Sequence, residues 1–264
     1  MNYAHYLELA CEAAHRAGEN IKRLWNVERE ISIKSDESLL TQIDTENERL
    51  LVDYFQKHSS DIAFLGEETG AHALKNSQEA YWCVDPVDGT TNLAHRFDFV
   101  CVSIALVVEG SPKVGVVYNP MQNQLFHAAQ DLGAKLNNKP IRVSQESDFK
   151  RSLLATGFPV GPFASGTRIP NMKNFQRISM HCHSVRRPGS AALDLACVAA
   201  GFFDGFWEIG LKAWDTPAGT VLVREAGGVV TGFEGDDYDL HNPYIIASNG
   251  HIHEELQSYI KKSD

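Results

Sequence analysis

The feature that most constrains this chain is residues 85–92, Asp-Pro-Val-Asp-Gly-Thr-Thr-Asn, which directly follow an apolar segment at 80–84. A short, bounded apolar segment of this kind is typical of a buried strand. Asp85 is then expected at the carboxyl end of that strand, where open sheets usually bind ligands. The pattern predicts a ligand site at a sheet edge, with an Asp-Gly hairpin turn as the open alternative.

The carboxylates of Asp85 and Asp88 indicate metal chemistry. Carboxylate oxygens are hard ligands suited to Mg²⁺ or Mn²⁺, and two so close in the chain can share ions that also hold a phosphoryl oxygen. Gly89 lets the backbone approach closely. The amides of Gly89, Thr90 and Thr91 would point at an anion if a helix starts there. The run is therefore suited to holding metal ions against phosphate.

Two further acidic signatures lie elsewhere in the chain. Residues 62–65 are a second short apolar run, and Gly-Glu-Glu follows at 66–68. Asp215 precedes Thr-Pro-Ala, so it is expected to cap a helix whose first turn contains the proline. Each signature alone is more simply a cap or a solvated turn. Their combination with the first motif favours one shared acidic site.

These motifs resemble those of the inositol monophosphatase family, which are lithium-sensitive, magnesium-dependent phosphatases of sugars and nucleotides. The first family motif resembles residues 82–92, and the second resembles residues 214–219 together with Glu-Ala-Gly-Gly at 225–228. The resemblance extends from about Lys34 to the last helix. One departure is Leu93, where the family frequently has phenylalanine, and this should matter little to metal binding.

The resemblance implies an α/β fold, a layered αβαβα sandwich with an N-terminal antiparallel sheet and a C-terminal mixed sheet. Periodicity alone predicts only mixed helices and strands without long linkers. The polar stretch at 145–150 predicts a boundary between an N-terminal α+β metal-binding half (1–145) and a C-terminal α/β half (146–264). The second half would contribute Asp215 and substrate contacts. Residues 157–170, rich in Gly, Pro and Ser, are expected to form a mobile loop.

The resemblance also implies the metal ligands. Glu67, Asp85 and the carbonyl of Val87 would hold a first ion, and Asp85, Asp88 and Asp215 would hold a second. A weaker third ion would lie near Glu67. The expected cofactor is Mg²⁺, as two or three ions, with Mn²⁺ as an alternative. Phosphate monoesters repel nucleophiles, so an enzyme that hydrolyses them must neutralise charge and supply hydroxide at neutral pH.

Three residues are predicted to be catalytic: Glu67, Thr90 and Asp44. Thr90, oriented through Asp44, would position or deprotonate the attacking water, and the displacement would be direct and in line. No nucleophilic side chain is needed. A helix cap is the alternative role for Asp44, and a turn hydroxyl is the alternative for Thr90.

The substrate contacts are less specific in the sequence. By resemblance, Gly-Ser-Ala before a small-residue helix would pack against the inositol ring, and Glu208 would accept hydrogen bonds from substrate hydroxyls. A serine helix cap and an exposed strand-end glutamate are the alternatives. Lys34 is expected to be an unpaired surface lysine, and the alternative is that it adds positive charge near the entrance of the site. The predicted substrate-binding residues are Asp88, Gly89, Thr90, Gly189, Ser190, Ala191, Glu208 and Asp215.

Composition agrees with a cytoplasmic enzyme. The net charge of −10, from 34 acidic and 24 basic residues, disfavours nonspecific attraction to nucleic acids and membranes. Five cysteines without C-x-x-C spacing indicate reduced thiols. The amino terminus lacks a signal pattern, and no apolar run approaches the roughly 20 residues of a membrane helix. By family resemblance we expect a homodimer that acts on a small phosphorylated polyol or sugar.

The favoured function is Mg²⁺-dependent hydrolysis of inositol 1-phosphate (myo-inositol monophosphate) to inositol and phosphate. Fructose-1,6-bisphosphatase, histidinol-phosphatase and 3′(2′),5′-bisphosphate nucleotidase activities are the alternatives within the family. Thr-Thr-Asn after Gly89 is more similar to the inositol and fructose branches than to the nucleotidase branch. A different class is a regulatory binding protein of the transcription machinery. The phosphate-binding motif G-x-x-x-x-G-K-[ST] is absent, and Asp85 and Asp88 do not form the D-x-D of haloacid-dehalogenase phosphatases.

Overall fold

The computed structural model describes residues 1–28, 31–34, 38–72, 80–158 and 165–261 of the 264-residue chain. Helices and sheets alternate in five layers. Among the described residues, no helix combines the length and apolar character needed to cross a bilayer. The helices are α1 (Tyr3–Leu24), α2 (Gln42–His58), α3 (Thr90–Ala94), α4 (Ser165–Ser179), α5 (Ala191–Ala199), α6 (Pro217–Glu225) and α7 (His253–Tyr259).

The strands belong to a two-stranded, an eight-stranded and a five-stranded sheet. The first ten strands are β1 (Ile31–Ile33), β2 (Leu39–Thr41), β3 (Ala63–Gly66), β4 (Gly70–His72), β5 (Ala80–Asp88), β6 (Cys101–Val108), β7 (Ser111–Asn119), β8 (Gln124–Ala129), β9 (Gly133–Leu136) and β10 (Lys139–Pro140). The others are β11 (Leu153–Thr156), β12 (Ser184–Arg186), β13 (Gly205–Ile209), β14 (Val229–Thr231) and β15 (Tyr244–Ser248).

The first layer consists of α1 and α2, which cover one face of the eight-stranded sheet. Buried alanines on one face of α1 let the helix approach the sheet closely. Gly18 in this helix lies beneath the ring of Tyr118, where any Cβ would overlap the ring. The amino terminus of α2 is closed by a capping box formed by Thr41 and Asp44. This box fixes the direction of the Asp44 side chain, which matters for the site described below.

The eight-stranded sheet has the order β10-β9-β8-β7-β6-β5-β3-β4. Its neighbouring strands are antiparallel except for β3 and β5, which are parallel. This single parallel pair refines the prediction of an antiparallel N-terminal sheet. Because parallel strands end at the same edge, the residues that follow β3 and β5 are brought together.

The remaining three layers complete the sandwich. Helices α5 and α6 pack between the two large sheets, and the five-stranded sheet has the mixed order β12-β11-β13-β15-β14. Helices α4 and α7 cover its outer face. Gly115 in β7 allows close packing of α6, because a Cβ there would overlap the backbone of Ala218. The predicted αβαβα architecture is confirmed.

The prediction of a loop at 157–170 is wrong for its last part, because α4 begins at Ser165 and continues through Pro170. Residues 159–164 lie outside the described residues. The eight-stranded sheet ends at Pro140 and the five-stranded sheet begins at Leu153. Both sheets nevertheless share the buried side chains around α5 and α6. The division into halves at 145–146 therefore stays a prediction.

Candidate active site

A cavity of about 790 Å³ opens where residues of the two predicted halves meet. All the predicted site residues except Asp44 line it. A larger cavity of about 950 Å³ lies between α1 and α2, but it contains none of these residues and its charges are mixed. The chemistry of the lining, rather than volume, identifies the first cavity as the site. Its predicted residues are Glu67, Asp85, Val87, Asp88, Gly89, Thr90, Gly189, Ser190, Ala191, Glu208 and Asp215.

Glu67 reaches the cavity from the turn that follows β3. Glu48 of α2 holds this turn, because its carboxylate accepts hydrogen bonds from the backbone N–H groups of Glu68 and Thr69, each at 2.8 Å. Gly66 makes the contact sterically feasible, since any Cβ there would overlap the Glu48 carboxylate. Gly66 is paired with Val84 in the parallel ladder. Glu67 is thereby placed next to the residues that end β5.

The Asp85 motif is a bulge that leads into a helix. The β5–β6 register shifts between Asp85 and Asp88, and the Val87 N–H donates to Asp85 Oδ1 at 2.9 Å. Gly89 has φ 98°, in the left-handed region that favours glycine, and α3 starts at the next residue. The alternative of an Asp-Gly hairpin turn is therefore wrong. The bulge directs both carboxylates and the Val87 carbonyl toward one end of the sheet.

Asp44 and Thr90 form a hydrogen-bonded pair beside this bulge. Thr90 Oγ1 donates to Asp44 Oδ1 at 2.8 Å and lies 3.1 Å from the Val87 carbonyl. The other carboxylate oxygen of Asp44 accepts from the Thr41 N–H at 2.9 Å, within the capping box. Burial raises the pKa of Asp44, although these hydrogen bonds act in the opposite direction. Asp44 thus serves the cap and orients Thr90 at the same time.

Asp88 joins β5 to the amino terminus of α5. Its Oδ2 accepts from Ser190 Oγ and from the Ala192 N–H, each at 2.7 Å. Ser190 is also the N-cap of α5 and accepts from the Leu193 N–H at 3.4 Å. Burial raises the pKa of Asp88 to about 6, against the effect of its hydrogen bonds. The predicted roles of Ser190, as helix cap and as part of the cavity wall, are therefore compatible in the structure.

Asp215 lines the cavity but does not cap α6. The N-cap position belongs to Thr216, and Asp215 Oδ2 instead accepts from the Lys212 N–H at 2.7 Å. The predicted cap is therefore wrong, because the chain turns one residue later than the motif suggested. Burial raises the pKa of Asp215 well above its ordinary value, and the nearby Asp88 and Glu67 raise it further.

Glu208 is buried in β13, with 7% of its surface exposed, so the alternative of an exposed strand-end glutamate is wrong. Its carboxylate lies against Gly157, where a Cβ would overlap both oxygens. Sequence reasoning missed Asp194, a buried residue of α5 that also lines the cavity. Burial, followed by the charges of Glu208 and Asp88, raises its pKa. The sequence feature that could have identified Asp194 is its position as the single charged residue of an otherwise apolar helix.

The cavity has a strong excess of negative charge. Among the described residues, Lys34 Nζ contacts Glu67 Oε1 at 2.7 Å and Glu68 Oε1 at 2.8 Å. The expectation that Lys34 is unpaired is therefore wrong. Burial raises the pKa of Asp85 well above its ordinary value, and the neighbouring Glu67 and Asp88 raise it further. Crowded buried carboxylates of this kind need bound cations to remain ionised.

The donor set fits hard divalent cations in its chemistry. Asp85, Asp88 and Asp215 each use one oxygen to accept a protein hydrogen bond. In the described part of the chain, the second oxygens of Asp85 and Asp215 have no protein donor and are available as ligands, whereas the Asp88 carboxylate also interacts with the backbone N–H of Ala191. In these same residues, no three acidic, cysteine or histidine groups converge at coordination distance. Binding a metal therefore requires the free oxygens to turn toward a common point.

Comparison with known proteins agrees with this site. Residues 2–264 match the sequence model of the inositol monophosphatase family. The chain is 42% identical to the inositol-1-monophosphatase of Synechocystis sp., covering 95% of this chain and 87% of that protein. It is 39% identical to the Nus factor SuhB of Escherichia coli, covering 93% of this chain and 92% of that protein.

Solved structures show the same fold. The extragenic suppressor protein suhB of Bartonella henselae aligns with a TM-score of 0.92 at 35% identity, covering 98% of this chain and all of that one. The inositol monophosphatase of Anabaena aligns with a TM-score of 0.88 at 37% identity, covering 98% of this chain and 96% of that one. The family match and these relatives indicate a hydrolase of the phosphatase class. The chain belongs to the inositol monophosphatase family, whose members are generally metal-dependent.

Proposed function

We propose that this protein catalyses Mg²⁺-dependent hydrolysis of inositol 1-phosphate to inositol and phosphate. One observation carries the proposal: acids from both halves of the chain line a single cavity, and the hydrogen-bonded pair of Thr90 and Asp44 lies beside them. The acids are suited to binding metal ions that hold a phosphate group, and the pair of Thr90 and Asp44 is suited to orienting a water molecule. The identity of 42% to an inositol-1-monophosphatase supports the choice of substrate.

The proposed metal ligands are those that the family resemblance implies, and the free oxygens of Asp85 and Asp215 support them. Glu67, Asp85 and the Val87 carbonyl would hold one ion, and Asp85, Asp88 and Asp215 would hold a second, with a weaker third near Glu67. When bound, Mg²⁺ lowers the pKa of a coordinated water and neutralises charge on the phosphoryl and leaving oxygens. Lys34 would have to release Glu67, which it contacts at 2.7 Å, or shift along its carboxylate.

Thr90 and Asp44 would orient the attacking water. The hydroxyl proton of Thr90 is directed at Asp44 Oδ1 and is also close to the Val87 carbonyl. The Thr90 oxygen is therefore left to accept a hydrogen bond from the water. A carboxylate at Asp44 that already accepts from Thr41 cannot rotate freely, so the water would be held in one position.

Glu208 would select the alcohol portion of the substrate. Its carboxylate is buried beside Gly157, on the C-terminal side of the cavity. No hydrogen-bond donor reaches this carboxylate from the described residues, and a buried acceptor of this kind gains most from ligands that bring hydroxyl donors. A polyol such as inositol meets this requirement, whereas an apolar alcohol leaves the carboxylate unsatisfied. Gly189, Ser190 and Ala191 would form the adjacent wall, with Gly89 allowing the backbone to approach the phosphate.

The decisive experiment measures phosphate release from inositol 1-phosphate, fructose 1,6-bisphosphate, histidinol phosphate and 3′-phosphoadenosine 5′-phosphate, with Mg²⁺ and with chelator. We expect inositol 1-phosphate to have the highest kcat/KM and chelator to abolish turnover. A higher kcat/KM on another substrate would assign that activity instead. Lithium sensitivity and a homodimer are expected from family resemblance, and a lithium titration and sedimentation analysis test them.

A second candidate function is regulatory binding to the transcription machinery. The observation that favours it is the similarity to proteins named Nus factor SuhB, at 38–40% identity. The two functions are separable, because an Asp88→Asn variant would lose catalysis while its outer surface stays unchanged. Retention of transcription complexes by both the wild-type protein and this variant, combined with no phosphatase activity in the wild-type protein, would favour the regulatory function.

A further inference from the structure

The bulge in β5 leaves several backbone groups without partners in the sheet. Pro86 and Val87 lie between the last two ladder positions of β5, Asp85 and Asp88. Buried backbone groups of this kind need other hydrogen-bond partners. Pro86 has no N–H, the Val87 N–H donates to Asp85 Oδ1, and the Val87 carbonyl lies 3.1 Å from Thr90 Oγ1 and is a ligand in the proposed function. The carbonyl of Pro86 is the remaining group.

Asn47 of α2 satisfies this carbonyl. Its Nδ2 donates to the Pro86 oxygen at 3.2 Å, and its side chain is completely buried. The Oδ1 of Asn47 accepts from Asn20 Nδ2 of α1 at 2.9 Å. Arg23, which is largely exposed, donates to Asn20 Oδ1. A continuous line of side-chain hydrogen bonds therefore connects the outer surface of the helical layer to the bulge.

An asparagine is unexpected at this position of α2 on packing grounds. Ile43 and Leu51, one helical turn before and after Asn47, are completely buried and apolar. An apolar residue would complete this stripe, and asparagine has a lower helix propensity than leucine. A buried amide is costly unless it is hydrogen-bonded. The two hydrogen bonds of Asn47 remove that cost and direct its amide at the bulge.

We propose that Asn47 is a positioning residue for the metal site. It contacts neither metal nor substrate and acts through the Pro86 peptide group. The orientation of that peptide sets the direction of the Asp85 carboxylate on one side and of the Val87 carbonyl on the other. Both groups are ligands in the proposed function, so this inference rests on that function. Groups that orient metal ligands are typically worth a factor of about 10 to 100 in metal affinity.

The test is calorimetric titration of the full-length protein with MgCl2 alone, without substrate. Asn47→Leu keeps the branching of the side chain at Cγ and removes the donor to Pro86, so the Mg²⁺ dissociation constant should increase about tenfold or more. Asn47→Ser, which perturbs packing less, provides the same comparison if the leucine variant does not fold. Asn20→Leu is the matched control, because it removes the adjacent hydrogen bond and leaves the Pro86 bond in place. Its dissociation constant should stay within about twofold of wild type.

Two outcomes would overturn the inference. One is Mg²⁺ affinity within twofold of wild type in both Asn47 variants, even if their melting temperatures fall, because that result defines a packing role. The other is an equal loss of affinity in the Asn20 control. Asp85→Asn distinguishes a failure of the inference from a failure of the proposed function. If Asp85→Asn abolishes Mg²⁺ binding while the Asn47 variants do not weaken it, only the role of Asn47 is refuted. If Asp85→Asn leaves binding unchanged, the metal site itself is refuted.

Discussion

The carboxylate of Asp44 and the hydroxyl of Thr90 are joined by a 2.8 Å hydrogen bond between α2 and α3. The same carboxylate closes the capping box of α2. The orientation of Thr90 is therefore fixed by the start of a helix that lies outside the cavity. Folding of α2 thus sets the geometry in which the proposed water would be held.

This arrangement predicts that the Thr90 hydroxyl, rather than the side-chain volume, supports catalysis. Thr90→Val should lower kcat by about 10² to 10⁴, the usual contribution of a group that positions or deprotonates a nucleophile. Thr90→Ser keeps the hydroxyl and should retain most of the activity. Steady-state kinetics on inositol 1-phosphate at saturating Mg²⁺ measure both. Equal losses in the two variants would point to packing of α3.

Asp88→Asn should lower kcat by at least about 10², because a proposed metal ligand then loses its charge. The asparagine keeps an oxygen that can accept from Ser190 and the Ala192 N–H, so the fold should be retained. Circular dichroism and kcat measured on the same preparation check this. Full activity of the wild-type protein in chelator would contradict metal dependence independently of the variant.

The pKa of Asp88, raised to about 6 by burial, predicts a pH dependence of the metal-free protein. Between the ordinary carboxyl pKa and about 6, the folded protein binds more protons than the unfolded chain. Its free energy of unfolding should therefore increase as the pH falls through about 6, and Mg²⁺ affinity should decrease over the same interval. Urea unfolding in chelator and Mg²⁺ titrations measure the two effects. In Asp88→Asn, the free energy of unfolding and the Mg²⁺ affinity should both lose the part of their pH dependence that Asp88 contributes. An unchanged pH profile in that variant would exclude Asp88 as the titrating group.

Glu208→Gln should weaken use of inositol 1-phosphate more than use of nitrophenyl phosphate. Loss of a charged acceptor typically costs about 1.5–3 kcal/mol, or roughly 10- to 100-fold in kcat/KM. Gly157→Ala should act in the same direction, because the added methyl group displaces the Glu208 carboxylate. Kinetics on both substrates at saturating Mg²⁺ test these variants. Equal losses on the two substrates would mean that Glu208 supports the site without contacting the alcohol.

The local sequence pattern was sufficient to predict those structural features that depend only on residues close together in the chain. The apolar run before Asp85 is a strand that is buried along most of its length, and a helix does start after Gly89. The αβαβα architecture came from family resemblance and is confirmed. Periodicity alone predicted only mixed helices and strands, because it does not determine which faces pack together.

The features that sequence reasoning missed depend on contacts across layers. Lys34 and Glu67 are 33 residues apart, and Asn47 and Pro86 are 39 residues apart. A pattern of buried and exposed positions does not identify which polar side chains meet at such separations. For the same reason, the sequence did not predict that Asp194 lines the cavity.

Helix α4 shows the opposite case, in which local propensity was overruled. Its sequence is polar and contains Pro170, so a loop is the natural prediction. Two buried asparagines tie the helix to the rest of the fold. Asn171 donates to the Gly157 carbonyl and accepts from the Trp207 indole N–H, and Asn174 exchanges hydrogen bonds with the backbone of Lys261. These tertiary hydrogen bonds compensate for the weak intrinsic preference of the segment.

The two hydrogen bonds that Asp88 accepts from Ser190 and Ala192 make the geometry of the cavity depend on two distant segments of the chain. Asp88 belongs to the eight-stranded sheet, whereas both donors belong to a helix more than a hundred residues later in the chain. Neither segment alone holds the Asp88 carboxylate in this hydrogen-bonded orientation. Occupancy of the site by the proposed cation would therefore report on how α5 packs against the eight-stranded sheet. A chain cleaved between Asp88 and Ser190 would have to reassemble before it could recover that occupancy.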